Sequence, residues 1–282
     1  MKRFFLTLSI LISIVLLSCD KIEEPYKNTG QSGGETEVTT RKVLLEDYTG
    51  HTCVNCPAAA KLAGELKDLY GDRLIIIAVH AGHFALPSGP PFDLDLRSDV
   101  GNEWNSIFGI QGYPSGMINR TSPGGQYIQS VGNWATRVSD IIDDPTMADL
   151  KISTSYHQES RRLDISLETT FKVPVTGKPK IQLVITEDNI LGAQHNNNST
   201  IGETPIIYDF VHKHVLRAAV NGNLGEDLYP EQGNVNVGTT YEHDYSITLD
   251  PDWVADNISA VAFIYNASDY EIYQVEEKHI MD

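Results

Sequence analysis

A pair of cysteines separated by two residues constrains this sequence more than any other feature. Cys53 and Cys56 follow the mainly apolar run 43–48 after a Thr-Gly break, and Pro57 opens a stretch rich in alanine and leucine. A second, continuous apolar run occupies residues 74–80. This order predicts a strand, a helix and a parallel second strand, with the cysteine pair at the turn between the first strand and the helix.

The position of the pair favours redox chemistry. Two positions three apart at the start of a helix are close enough for a disulfide, although so short a loop would stabilise the fold by only about 2 kcal/mol. The positive end of the helix dipole would lower the pKa of a thiol there. Cys53 and Cys56 either pair with each other or remain thiols, and export without a reductant favours the disulfide. A zinc site would need two more ligands, and the nearby donors are His80 and His83.

The N-terminus predicts export and lipid attachment. Lys2 and Arg3 precede the apolar stretch 4–17, which is shorter than the roughly 20 residues of a membrane-spanning helix. We interpret residues 1–18 as a cleaved signal peptide. The motif Leu-Leu-Ser-Cys that ends at Cys19 resembles a bacterial lipobox, which implies a lipidated N-terminal cysteine carrying chains such as palmitate. An ordinary secretory signal with an incidental cysteine is the alternative.

Residues 19–40 are predicted to form a flexible tether, because they contain few aliphatic side chains and many Gly, Ser, Thr and acidic residues. Their acidic start is similar to signals that send some lipoproteins to the cell surface, although short acidic runs are common in linkers. We expect the protein at the outer membrane, on its periplasmic or cell-surface face, with the lipid on Cys19 as its membrane contact. The formal net charge of −17 disfavours nucleic-acid binding.

The first half of the chain resembles a thioredoxin. The resemblance rests on TGHTCVNCP with its flanking strand and helix and on a later Tyr113-Pro114 pair. It implies an α/β thioredoxin-like domain over residues 41–145. More narrowly, LLEDYTGHTCVNCP together with GYPSGMINR resembles the outer-membrane lipoproteins named for a twenty-eight-kilodalton outer-membrane protein. In that family a thioredoxin-like domain precedes a β-rich region.

The resemblance to thioredoxins implies catalytic roles for four residues. Cys53 matches the exposed attacking thiol and Cys56 the resolving thiol. Asp47 matches the buried acid that shuttles a proton to the resolving cysteine, and desolvation would raise its pKa. Pro114 matches the cis-proline beside the sulfurs, where the backbone of Tyr113 would pair with an extended substrate.

Three features depart from the thioredoxin pattern, and one neighbouring histidine has two interpretations. Thr52 replaces the usual tryptophan, and Pro57 follows the cysteine pair instead of lying within it. The long loop 81–97 is either a lid or binding loop over the sulfurs or an ordered surface insertion. His51, two residues before Cys53, either contacts the substrate side of the pair and stabilises the thiolate or is a solvated loop histidine.

The rest of the first region is predicted to be helical, and the second region to be all-β. Helices near 98–108 and 133–142 would complete the first domain, with Trp104 and Trp134 as core anchors. Residues 146–282 are predicted to form an immunoglobulin-like β-sandwich, because polar and apolar residues alternate along them. The strands expected there cover about 148–156, 163–171, 181–187, 210–219, 241–249, 258–266 and 270–277.

Two hypotheses about function follow. The first is a lipid-anchored oxidoreductase that exchanges thiols and disulfides with exported proteins or a redox partner, without a cofactor. The second is a non-catalytic surface receptor, adhesin or binding lipoprotein with a structural disulfide. Asp209, His212 and His214 could form a metal-binding histidine pair, although histidines packed at an interface are several times more common, and no metal site is predicted.

Overall fold

The computed structural model describes residues 40–175, 177–229, 235 and 237–282. These residues belong to one compact unit. The predicted signal peptide, the lipidation site Cys19 and the tether up to residue 39 lie outside the described residues. Within the described part, no helix combines the length and the apolar character needed to cross a membrane.

A β-α-β unit opens the described chain, as the sequence predicts. Strands β1 (Val43–Thr49) and β2 (Leu74–His80) pair in parallel over their full length. Helix α1 (Cys56–Tyr70) connects them, with Pro57 in its first turn, where a missing N–H donor does no harm, and Gly71 at its end with φ 57°. Every residue of both strands is buried, which explains why their sequences are mainly apolar.

Three further elements complete the first region. Strand β3 (Ser115–Ile118) pairs antiparallel with β1. Helices α2 (Asp99–Ile107) and α3 (Trp134–Ile141) each lie within one residue of their predicted bounds. Trp104 and Trp134 have no exposed surface, so the prediction that they anchor the core is confirmed.

Most of the chain after residue 146 is extended, and its first two strands fall where the alternating pattern predicts them. The strands of this region are β4 (Ala148–His157), β5 (Arg162–Phe171), β6 (Pro179–Glu187), β7 (Ile190–His195), β8 (Ile206–His212), β9 (Val215–Ala219), β10 (Glu226–Asp227), β11 (Thr240–Thr248), β12 (Ile258–Asn266) and β13 (Ile272–His279).

The prediction of a single strand over residues 210–219 is wrong. Strand β8 ends at His212 and β9 begins at Val215, and the two strands belong to different sheets. The chain breaks at His214, which has a left-handed backbone with φ 53° and whose N–H donates to the Asp188 carboxylate at 2.6 Å. Neither glycine nor proline marks this turn, so the sequence pattern continues through it.

One mixed sheet joins the two predicted domains. Its strand order is β13-β12-β6-β9-β2-β1-β3, with β10 beside β6. Strand β9 forms the junction, because it pairs in parallel with β2 through Val215 and Ala78 and antiparallel with β6. The boundary predicted between residues 145 and 146 therefore does not separate two sheets.

Apolar cores lie on both faces of the mixed sheet. On one face, side chains of β1, β2, β6 and β12 form a continuous core with α2. On the other face, α1 and α3 pack against β1 and β2, and the three-stranded sheet β11-β5-β4 packs against β6 and β12. Two β layers thus face each other, but one of them is the shared sheet. The structure differs here from a separate immunoglobulin-like sandwich, because β9 pairs with β2.

Candidate functional site

The cysteine pair lies where the chain passes from β1 to α1. Cys53 and Cys56 form a disulfide with Cα atoms 5.4 Å apart, the oxidised one of the two states that the sequence left open. Within this turn, the Cys53 N–H donates to the Gly50 carbonyl at 3.0 Å and the Cys56 N–H donates to the Cys53 carbonyl at 3.3 Å. Glycine is needed at position 50, since a Cβ atom there would lie 2.5 Å from the backbone of Phe84.

Both cysteines are buried, with only 2% of each residue exposed. The expectation that Cys53 is an exposed thiol is therefore wrong for this oxidised state. Residues 194–197, which we call the cover segment, lie against the cysteine turn. The His195 N–H donates to the His51 carbonyl at 2.8 Å, and the Asn197 N–H donates to the Val54 carbonyl at 3.2 Å.

Gln194 provides the most buried contact between the cover segment and the cysteine turn. Its side-chain amide donates to the Cys53 carbonyl at 3.0 Å and to the Gly50 carbonyl at 3.3 Å. The side chain is buried, so its amide supplies a second donor, in place of water, to two carbonyls that already accept a backbone hydrogen bond within the turn. The polar run Gln-His-Asn-Asn-Asn is typical of a loop, and the sequence therefore did not predict β7 or this contact.

The long loop 81–97 also contacts the cysteine turn. The Phe84 carbonyl accepts hydrogen bonds from the Thr52 N–H at 3.0 Å and from the Thr52 hydroxyl at 2.9 Å. The ring of Phe92 packs on His195 of the cover segment, with centroids 4.4 Å apart. The loop and the cover segment together form the wall of the site.

His51 is enclosed by protein. Only 1% of the residue is exposed, and its Nε2 lies 3.1 Å from the Leu86 carbonyl oxygen. The interpretation of His51 as a solvated loop histidine is therefore wrong. Burial lowers its pKa below 6.5, so the ring is mainly neutral at pH 7 and offers little positive charge to a thiolate at Cys53.

Asp47 is a buried carboxyl on β1, and only 3% of the residue is exposed. Burial raises its pKa from 3.8 to about 7. Its Oδ1 has no hydrogen-bond partner within the described part of the chain. Asp47 and Cys56 line the same cavity. A carboxyl that titrates near neutral pH in this position is suited to proton transfer with the second cysteine.

The Tyr113–Pro114 peptide bond is cis. Ser115, the next residue, pairs with Tyr48 near the end of β1, so this peptide and the cysteine turn lie at the same end of the sheet. The ring of Tyr113 contacts that of Phe84, whose carbonyl holds the cysteine turn, with centroids 5.9 Å apart. The roles predicted for Tyr113 and Pro114 in substrate pairing stay predictions.

The histidines considered as metal ligands point to different neighbours. His212 is buried and its ring meets that of His80 edge to face, with centroids 5.3 Å apart. His214 Nδ1 lies 3.3 Å from the Asp188 carboxylate, and Asp209 is exposed. Within the described ranges, no group of three or more such side chains could hold a metal ion. His212 therefore packs against another buried ring, as expected for a histidine with a structural role.

A buried ion pair was not predicted. Arg120 donates from Nε and Nη2 to the Glu46 carboxylate at 2.9 and 2.8 Å, and both side chains are almost fully buried. The guanidinium carbon of Arg120 lies 4.7 Å from the ring centroid of Trp104. Alternation along β1 places Glu46 on the opposite face from Asp47. An acidic residue inside a buried strand was the available signal for this pair.

Comparisons with known proteins identify one family and one broadly shared fold. A family model described as outer membrane protein Omp28 matches residues 101–282. HBP35 of Porphyromonas gingivalis aligns with a TM-score of 0.64 at 15% identity, covering 86% of this chain and 76% of that one. An Agrobacterium tumefaciens protein solved by a structural genomics consortium aligns with a TM-score of 0.50 at 10% identity, covering 86% and 96%.

A solved domain of the outer membrane lipoprotein Omp28 from Porphyromonas gingivalis is also similar to part of the chain. It shares 20% identity and aligns with a TM-score of 0.32, covering 48% of this chain and 88% of the domain. No curated protein matches this chain in sequence.

Proposed function

This chain belongs to the outer membrane protein Omp28 family, whose model matches it over residues 101–282, and on that premise we propose that it is a lipid-anchored protein that exchanges thiols and disulfides with exported proteins. The family that the sequence resemblance named is thereby confirmed, and of the two motifs GYPSGMINR lies within the matched residues. The lipobox-like motif at Cys19 supports the lipid anchor, and the cysteine pair supports the chemistry.

A thioredoxin-like assignment of residues 41–145 supports this function. The β-α-β unit carries a disulfide at its strand-to-helix turn. An antiparallel strand, β3, follows the cis Tyr113–Pro114 bond at the same end of the sheet. These elements are among those that the sequence resemblance implies, and they support the assignment.

One observation carries the proposal. The Cys53–Cys56 disulfide lies at the start of α1, and Asp47, whose pKa burial raises to about 7, shares a cavity wall with Cys56. Disulfide exchange needs a proton acceptor for the resolving thiol, and a carboxyl with a pKa near the working pH meets that need.

The exchange follows from these positions. In the reduced protein, the Cys53 thiolate attacks a substrate disulfide, forms a mixed disulfide and releases a substrate thiolate, which takes up a proton. The Asp47 carboxylate removes the proton of the Cys56 thiol, and the Cys56 sulfur attacks the Cys53 sulfur. The substrate leaves as a dithiol, two electrons having passed to it, and the Cys53–Cys56 disulfide forms. A substrate dithiol drives the same steps in reverse.

Access to the sulfurs requires the cover segment to move. Its contacts with the turn are hydrogen bonds of an edge segment, and segments of this kind open locally at a smaller free energy than the whole fold. The closed arrangement thus corresponds to the oxidised resting protein, and exchange occurs from an opened form.

Turnover and trapping test this function. The mature protein should accelerate the reduction of insulin by dithiothreitol, and a double variant with Cys53→Ser and Cys56→Ser should not. A Cys56→Ser variant incubated with exported proteins should retain mixed disulfides on Cys53, which mass spectrometry identifies. Absence of both turnover and adducts contradicts the proposal.

The lipid anchor is tested separately. Cells given an alkyne analogue of palmitate should label the wild-type protein, and a Cys19→Ser variant should lose the label and leave the membrane fraction. Retained membrane association of an unlabelled variant would contradict anchoring through Cys19.

Burial of the disulfide supports a second candidate, a binding lipoprotein in which the disulfide is structural. Both cysteines are buried and the cover segment is hydrogen-bonded to the Cys53 carbonyl, and structural disulfides resist reduction more than exposed catalytic ones. The two functions differ in the Cys56→Ser experiment, because a structural disulfide gives no adducts with substrates.

A further inference from the structure

A cavity of about 360 Å³ lies beside the disulfide. Four elements contribute to its walls: β1 and β2 contribute Asp47 and His80, the first two turns of α1 contribute Cys56 and Ala60, and β8 contributes Phe210 and His212. The volume is at the small end of the roughly 300–1,000 Å³ typical of ligand sites. The cavity therefore suits a compact molecule.

The surface of the cavity is mainly apolar, with a few polar groups that lack partners. Among the described residues, Asp47 Oδ1, His80 Nδ1 and His212 Nε2 are buried atoms without a hydrogen-bond partner. Buried polar atoms are almost always paired with protein, water or a ligand. Three such atoms on residues that line one cavity indicate that something outside the polypeptide completes their hydrogen bonds.

The charge of the cavity at neutral pH favours an uncharged occupant. Burial lowers the pKa of His212 to about 4 and that of His80 well below 6.5, so both rings are neutral at pH 7. Lys61 and Lys213 also line the cavity, but both are exposed, and Lys61 pairs with Glu65 on the surface of α1. An anion would lose its hydration without gaining a buried positive charge, and a cation would meet a negative Asp47 in only about half of the molecules at pH 7, because the pKa of that carboxyl is about 7.

We propose that this cavity binds a small uncharged organic molecule that has an apolar body and a hydroxyl group, such as a phenol or an alcohol. A hydroxyl both donates and accepts hydrogen bonds, so it can pair with either tautomer of a neutral imidazole and with a carboxyl in either protonation state. The apolar walls contributed by Ala60 and Phe210 hold the body of the ligand. This site does not depend on the proposed thiol exchange.

Nuclear magnetic resonance titration of the oxidised protein with p-cresol tests the site. Amide shifts should saturate and cluster on α1 and β8. p-Xylene, which replaces the hydroxyl by a methyl group, should bind about tenfold more weakly, because one hydrogen bond is lost. The anion of 4-methylbenzoic acid should produce no saturable shifts.

Two matched variants on α1 complete the test. Ala60→Leu fills the cavity and should weaken p-cresol binding about tenfold or more. Ala58→Leu makes the same change at an exposed position of the same helix and should leave binding unchanged. Dispersed amide spectra of both variants show that they are folded.

Three results would overturn the proposal: no saturable shifts with p-cresol, equal binding of p-xylene, or equal weakening by both variants. The titration uses the intact disulfide and no reductant. A failed titration would not contradict the proposed thiol exchange, and a failed insulin assay would not contradict ligand binding in the cavity.

Discussion

At the level of single residues, Asp47 links function to stability. Burial raises its pKa from 3.8 to about 7 in the folded protein. The folded state therefore binds this proton more tightly than the unfolded state. The resulting stabilisation is complete below the unfolded pKa and is lost as the pH rises toward 7, when an uncompensated charge must be buried.

Replacing Asp47 by Asn should stabilise the protein at high pH only. The pKa difference corresponds to up to about 4 kcal/mol in the free energy of unfolding at pH 8, and to little at pH 4, where the carboxyl is protonated in the fold. Urea unfolding at both pH values measures this difference, with the exposed Asp68→Asn as control. The same gain at pH 4 and pH 8 would contradict a buried, titrating carboxyl.

Removing one partner of the buried Glu46–Arg120 pair should strongly destabilise the fold. Glu46→Gln leaves the guanidinium of Arg120 buried without its countercharge, and the free energy of unfolding should fall by about 3–5 kcal/mol. Asp164→Asn removes the contacts of this carboxylate with Arg162 and His157 at the surface, where water screens the charges, and should leave the free energy of unfolding almost unchanged. Chemical denaturation compares the two, and similar losses would show that burial does not set the strength of these pairs.

The sequence predicted the chemical residues of the site better than their surroundings. The spacing of Cys53 and Cys56 and the resemblance around Asp47 and Pro114 are local features, and the disulfide, the buried acid and the cis bond are all present. Gln194 could not be found in this way, because its contacts with the turn join residues far apart in the chain.

At the level of elements, the sequence predicts the end of a helix or strand correctly where a proline or glycine marks it. Helix α1 has Pro57 in its first turn and Gly71 directly after its last residue, and the structure has it where the sequence predicts it. The break between β8 and β9 is formed by His214, whose left-handed backbone has no signal in the sequence. The pairing of β9 with β2 and β6 then decides the sheet, and such long-range pairing is not visible in local periodicity.

Gln194→Ala should make the disulfide easier to reduce. The variant loses the hydrogen bonds that hold the cover segment to Cys53 and Gly50, so the opened form should become about tenfold more populated. The rate of reduction by dithiothreitol, followed by thiol alkylation and mass spectrometry, should rise by the same factor. Gln158→Ala, in the exposed turn after β4, is the matched control. Equal rates for both variants and the wild type would mean that the segment does not limit access.

At the level of the whole molecule, the shared sheet should make the described chain unfold as a unit. The core on one face of the sheet contains Ile75 and Ile77 of the first region together with Val261 and Phe263 of the second. We therefore expect coincident urea transitions by near- and far-ultraviolet circular dichroism. A fragment of residues 41–145 should lack a cooperative transition, because it loses seven of the seventeen buried side chains of this core. Two separated urea transitions in the full chain would contradict this expectation and would indicate two domains that unfold independently.

The cysteines are synthesised well before the segment that contacts them in the folded protein. Gln194 lies 141 positions after Cys53, so at 5–20 residues per second it is synthesised roughly 7 to 28 s later. During that interval the growing chain lacks the segment that is hydrogen-bonded to the cysteine turn in the folded protein. The two cysteines can acquire this contact only after the later half of the chain has been synthesised.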